Sequence, residues 1–305
     1  MRSNELYERI TRHIISSIEA GAADFIMPWH KWGEGTGAPI NAITGRSYRG
    51  LNTLLLWAAA ELGGYSSGRW ATYRQWSAAG AQVRKNEKAS TILFWKSASG
   101  NRDDHDDDDD QRTSRSALVS RVFHVFNSSQ VDGALEPTAA SGLSAEERVA
   151  SAEAFFGACG ADIAYGGDRA FYMPSADKIS VPHFEQFRDA GGFYSVLGHE
   201  HIHWTGAERR LNRDLTGRFG SDSYAVEELV AELGAAFICA KLGLSVEPRP
   251  DHARYISSWL GVLRNDARAI LTVASKAQAA ADYLCAIAGG ASTTQTQQPV
   301  DDLAA

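Results

Sequence analysis

Apolar residues Leu6, Ile10, Ile14, Ile15 and Ile18 recur at helical spacing ahead of Gly21, which predicts an amphipathic opening helix over 4–20. The segment from 25 to 50 is rich in Gly, Pro and aromatic residues and has little period, so it reads as loops and short strands. A helix is expected over 51–62 and a short one near 72–79. TILFWK, residues 91–96, reads as a strand, and SRVFHVFNSSQV begins a second near Ser120. Between them, 97–116 is polar and Asp-rich, a hairpin tip expected to be disordered because it has nothing to bury.

The composition shifts after Asp132 to Pro, Ser, Ala and Gly, and a domain boundary is expected between 132 and 143. SAEERVASAEAFFGACG then predicts a helix with a capping box, Ser144 answered by Glu147 three residues on. ADIAYGG, RAFYMP and ADKISVP read as short strands, followed by a long helix containing LGHEHIHW, a loop over 205–223 and a helix over about 224–241. Two more helices follow Asp251, and from Gly289 the chain reads as a frayed polar tail. The expected class is α+β with two domains. One is an N-terminal α/β domain over 1–132; the other is mostly helical with a small sheet, over 143–288, before a tail of 289–305.

Charge separates the halves further. The net charge of −7 hides a run DDHDDDDD at 103–110; outside it, residues 1–130 balance at +9 and residues 131–305 at −9. The first half is the one suited to a polyanion. DDHDDDDD itself reads as a solvated loop. The three cysteines, Cys159, Cys239 and Cys285, are too scattered for a disulfide framework or a cysteine-zinc cluster. The most apolar stretch, 229–244, contains Glu232 and Lys241 and is too short to span a bilayer; with no signal-like N-terminus, a cytoplasmic location is expected and a membrane partner is not.

The sharpest chemical signal is His199-Glu200-His201-Ile202-His203, which satisfies H-E-x-x-H within a helical pattern. Four helical residues advance about 400°, so His199 and His203 share a face about 6 Å apart along the axis, a grip for one tetrahedral cation. Glu200 is then placed to accept a proton from water attacking a carbonyl and to pass it to the leaving amine. A third ligand should come from a later helix. Glu228 and Glu232 stand at i and i+4, an awkward like-charge pair unless a cation or a histidine N–H answers them. Glu228 is assigned as ligand, Glu232 as acceptor from a ligating histidine, and Glu227 is the alternative ligand. His201 falls on the opposite side of the helix and reads as a polar contact, while His124 and His252 read as structural. No G-x-S-x-G elbow or Walker loop competes.

Six of the eight tryptophans lie in the first 100 residues, interleaved with basic side chains. That mixture suits single-stranded nucleic acid, where bases stack on rings and Lys or Arg neutralise phosphates. The candidate DNA contacts are Arg46, Tyr48, Arg49, Asn52, Arg69, Trp70, Tyr73, Arg84, Lys85 and Lys88. Trp57 and Trp76 read as core.

The strings PWHKW, GAPINAITGRSYRGLNTLLLW, GYSSGRWATYRQW, GAQVRKNEKAS and VFHVFNSSQVDG resemble the N-terminal domain of the ArdC family of plasmid antirestriction proteins. LGHEHIHWTGAERRLNR and YAVEELVAELGAAFICA resemble the metallopeptidase domain of the same family. The resemblance implies a single-stranded-DNA-binding domain joined to a zincin-like domain, and protection of incoming plasmid DNA from host restriction during conjugation. It implies a metal centre at His199, Glu200, His203 and the Glu228 region. The cofactor expected is Zn2+, with Mn2+ or another divalent cation as alternative, and a host restriction-system protein is a candidate target. Two rivals stay open: proteolysis as the function with DNA only positioning the substrate, and a non-enzymatic DNA-binding scaffold whose metal is structural.

Overall fold

The computed structural model describes residues 37–97, 118–134, 144–217, 221–244, 253–266 and 268–294, with residues 8, 11, 12, 14–16, 18 and 19 in helical backbone near the N-terminus. Ile14 and Ile18 of that opening helix are buried, as their spacing requires. Strands β1 (Ile40–Asn41), β2 (Arg69–Thr72), β4 (Ser90–Ser97) and β5 (Leu118–Asn127) form one sheet in the order β1-β2-β5-β4. β1 runs parallel to β2, and the other pairs are antiparallel. A two-stranded ribbon, β3 (Gln82–Val83) with β6 (Val131–Asp132), lies beside it. Helix α1 (Leu51–Gly63) packs on this sheet and stops where Gly64 turns left-handed at φ 62°, its N–H meeting the last carbonyls. Helix α2 (Tyr73–Ala78) starts on a capping box between Thr72 and Gln75. The tip at 98–117 and the linker at 135–143 fall outside the described residues.

In the second half, α3 (Ala145–Ala158) begins on the expected Ser144–Glu147 capping box. A three-stranded sheet of β7 (Asp162–Tyr165), β8 (Phe171–Met173) and β9 (Lys178–Val181) follows in the order β7-β9-β8. Four helices complete the lobe: α4 (Ala190–Thr205), α5 (Asp222–Leu242), α6 (Ala253–Asn265) and α7 (Ala269–Thr294). α5 is the central post. Leu229 to Ala240 is buried on every side, between α4, α6 and α7. A Cβ on Gly234 would come within 2.7 Å of Ile202, so that glycine is what lets α5 lie close against α4. α7 departs from expectation: it continues as helix through Gly289 and Gly290 to Thr294, where a frayed tail was expected from 289. Two glycines cost about 1 kcal/mol each, and an alanine-rich helix already anchored on α5 propagates through them at one hydrogen bond per added residue.

The halves share a core. Leu51, Leu54, Trp57 and Leu93 join Phe237, Ile238 and Ala281 in one buried cluster, with the Trp57 and Phe237 ring centroids 5.9 Å apart. Gly50 N–H donates to Gln278 Oε1 at 2.7 Å, and Arg49 pairs with Asp282. Among the described residues no helix is long and apolar enough to cross a membrane.

Candidate metal centre and its neighbours

α4 starts where the Asp189 side chain accepts from Gly192 N–H at 2.9 Å, and that phase carries His199 and His203 to the face turned toward α5. Their Nε2 atoms stand 3.0 Å apart. Glu228, on the facing side of α5, brings Oε2 to 3.6 Å from His199 Nε2 and Oε1 to 3.4 Å from His203 Nε2. Metal–ligand bonds of about 2.0–2.1 Å in tetrahedral geometry put neighbouring ligand atoms about 3.3 Å apart. The three separations, 3.0, 3.4 and 3.6 Å, bracket that value, so the donor set fits a divalent cation. Two imidazole nitrogens aimed at each other across 3.0 Å otherwise need a proton between them.

Each imidazole has its own carboxylate behind it. His199 Nδ1 lies 3.0 Å from Glu232 Oε1, and His203 Nδ1 lies 3.1 Å from Glu227 Oε1. A carboxylate at Nδ1 fixes the tautomer that leaves Nε2 free to ligate. Glu227 is further committed to Arg213, which donates through Nε to Oε2 at 2.9 Å and through Nη2 to Oε1 at 2.8 Å. The same guanidinium reaches Thr205 Oγ1 at 2.8 Å and the Ile202 carbonyl at 2.6 Å. Among the described residues Glu228 has no such cation on it; its contacts there run to the two histidines. The geometry therefore groups Glu228, and not the alternative Glu227, with His199 and His203.

The cluster is buried and hungry for positive charge. His199 is 1%, Glu228 6% and Glu232 4% exposed, while the His203 side chain, at 13%, is the most open. Burial opposes charge on His203, but Glu227 and Glu228 outweigh it and lift its pKa to about 10. Burial likewise opposes the Glu228 carboxylate, and His199 and His203 nevertheless hold its pKa far below the ordinary range. Glu200, beside His199 on α4, is 2% exposed.

His201 points away, as expected. It is fully buried, its Nδ1 lies 2.8 Å from the Leu197 carbonyl, and burial pushes its pKa down to about 4 despite that bond. The unfolded chain takes up this proton near pH 6.5 and the folded chain only near 4. Folding stability from this site is complete above 6.5 and should fall by about 1.4 kcal/mol per pH unit below it. Urea unfolding at pH 7.5 and 5.0 checks this: the acid loss should shrink in His201→Phe, which keeps the packing on Phe156.

The ten candidate DNA contacts divide. Arg46, Arg49, Tyr73, Arg84, Lys85 and Lys88 are exposed, and Tyr48 and Arg69 are half-buried. Two expectations are corrected. Asn52 is buried, with both ends of its amide on the Leu93 backbone, at 2.7 and 2.8 Å, tying α1 to β4. Trp70 is 1% exposed and packs with Leu56, Ala60, Ile92 and Val125. Neither is available to a strand of DNA. Trp57 and Trp76 are core, as expected, and His124 is exposed on β5. The sequence reading passed over Phe94, Arg121 and Phe123, which project from one face of the β4–β5 pair. The i, i+2 spacing of Ile92 with Phe94, and of Arg121 with Phe123 and Val125, puts each set on one face of its strand but does not say which part of that face is covered.

Residues 4–126 match the family described as the N-terminal domain of anti-restriction factor ArdC, and residues 150–276 match zincin-like metallopeptidases. The uncharacterized protein y4eC of Sinorhizobium fredii is 50% identical over 282 residues, covering 92% of this chain and 91% of its own. The DNA primase TraC of Escherichia coli is 36% identical over 96% of this chain, which spans only 28% of that relative's length. Two crystal structures of the antirestriction ArdC protein from the R388 plasmid superpose with a TM-score of 0.73, covering 93% of this chain and 98% of theirs. The Mn(II)-bound one is 37% identical and the metal-free one 38%. With both halves matched in sequence and 93% of the chain matched in structure, this protein belongs to the ArdC antirestriction family and carries a zincin-like domain in its second half.

Proposed function

We propose that this protein is a plasmid antirestriction factor that holds single-stranded DNA on its basic half and hydrolyses peptide bonds, with a divalent cation, at the α4–α5 centre. The R388 relative, an antirestriction protein of a plasmid, supports the antirestriction role; protection of incoming DNA during conjugation is the setting that the family resemblance implies. The observation that carries the peptidase reading is the His199–His203–Glu228 triangle, with a separate carboxylate behind each imidazole. Zn2+ is the cation that donor set favours, and Mn(II) occupies the R388 relative. The cation supplies Lewis acidity toward water and a substrate carbonyl. His199, His203 and Glu228 hold it, Glu232 and Glu227 keep both rings in the ligating tautomer, and Glu200 takes the proton from water and returns it to the leaving amine.

Glu200→Gln tests this. The variant should keep its bound cation, since Glu200 lies outside the triangle, and lose at least about 100-fold in cleavage of a fluorogenic casein or peptide pool. Retained cleavage removes Glu200 from the mechanism. The burial of the centre favours a second reading, in which the cation clamps α4 to α5 and no peptide is cut. On that reading the variant protects conjugated DNA as well as the wild type does.

A further inference from the structure

One face of the four-stranded sheet is covered at one end and bare at the other. Ile92 and Val125, at 2% and 0% exposed, sit under Leu56 and Ala60 of α1. Two residues further along the same strands, Phe94 is 48% and Phe123 39% exposed. The register pairs Ile92 with Phe123 and Phe94 with Arg121, so the two rings are diagonal neighbours with a guanidinium opposite one of them. Their centroids are 5.3 Å apart at 88°, edge to face, which leaves a ring face open. Tyr48 and Gln75 close the far side of a groove of about 480 Å3 over these residues.

Two bare phenylalanines on a rigid sheet mark a surface built to be covered. Charge identifies the occupant. Residues 37–97 and 118–134 carry nine Lys and Arg against three Asp and Glu, with Arg46, Arg74, Lys85 and Lys88 among them exposed, while the seven Asp and three Arg of 98–117 are confined to the connection between β4 and β5. A polyanion with flat apolar faces of its own meets both demands, and an unpaired nucleotide strand has that chemistry. We infer that Phe94 and Phe123 are the base-stacking platform for single-stranded DNA, with Arg121 taking an adjacent phosphate. This assignment rests on the single-strand reading above and adds the place where the bases sit.

The test uses the full-length protein, a fluorescein-labelled oligothymidylate, and a matched abasic strand with the same phosphates. Phe94→Ala and Phe123→Ala should each weaken oligothymidylate binding about 5- to 150-fold, without changing the slope of affinity against salt. Phe94→Trp should restore binding. Arg121→Gln should lower that slope by about 0.7. The abasic strand should bind the wild type no better than oligothymidylate binds the doubly substituted Phe94→Ala/Phe123→Ala protein. Both rings are exposed, so the thermal midpoint and divalent-cation uptake should match the wild type and exclude misfolding. If the wild type binds and the alanine variants bind equally well, the platform is wrong while the single-strand reading stands. If the wild type fails to bind any strand, both fall. Loss of self-association in Phe94→Ala, with DNA affinity intact, assigns the face to a second copy and overturns the proposal.

Discussion

Glu228→Gln should lower divalent-cation affinity by well over 100-fold, whereas Glu227→Gln should cost only about the 10- to 100-fold that follows loss of an outer partner. The asymmetry follows from what each carboxylate already does. Both Glu227 oxygens are taken by Arg213, and one also faces His203 Nδ1, so its charge is spent before any ion arrives. Among the described residues Glu228 faces the two imidazole Nε2 atoms at 3.4 and 3.6 Å and closes the triangle. An amide there presents a neutral oxygen in place of an anion. Competition with a chromophoric chelator measures the affinities. A thermal shift reads the same linkage: an ion at 1,000 times its dissociation constant stabilises the fold by about 4 kcal/mol, and that gain should vanish in Glu228→Gln. A larger loss in Glu227→Gln than in Glu228→Gln would reverse the assignment.

Arg213→Met should destabilise the metal-free protein by about 3–5 kcal/mol, the scale for removing one partner of a buried ion pair. The Arg213 side chain is 5% exposed and the Glu227 side chain 9%, so the carboxylate left behind keeps His203 Nδ1 as a partner but cannot recover its hydration on the side that Arg213 leaves. Adding Glu227→Gln to that variant removes the stranded charge and should restore most of the loss. Urea unfolding of the four proteins in this double-mutant cycle gives the coupling. A cost below about 1 kcal/mol in the single variant would mean that water reaches Glu227. Arg213 also bonds Thr205 and the Ile202 carbonyl, so the part of the loss that Glu227→Gln fails to restore measures its hold on the end of α4.

Local signals carried much of this molecule. The Ser144–Glu147 capping box, the helical period through Leu54 and Trp57, and H-E-x-x-H each act over a single turn, and each formed where the sequence put it. The choice between Glu227 and Glu228 was not legible, because a rotation of one residue exchanges them and the cation that separates them arrives from Arg213, fourteen residues upstream. Asn52 misled for a related reason. A polar side chain amid LNTLLLW looks like a contact for something outside, yet its amide satisfies the N–H and carbonyl of Leu93, 41 residues away. Trp70 was counted by type when its neighbours in space decided its place. The reverse error hid Phe94 and Phe123, which a strand pattern implies are buried until the extent of α1 is known.

The seam between the halves bears on how such chains can be rearranged. Trp57 is 1% exposed because Phe237 belongs to the other half, so each half completes the apolar interior of its companion. Splicing one relative's leading half to another's trailing half would match ring to ring only by accident, and chimeras should survive when α1, α5 and α7 come from the same parent. Inheritance as an intact block is the corollary. The 36% match that runs through 96% of this chain, inside a TraC polypeptide more than three times as long, has that form.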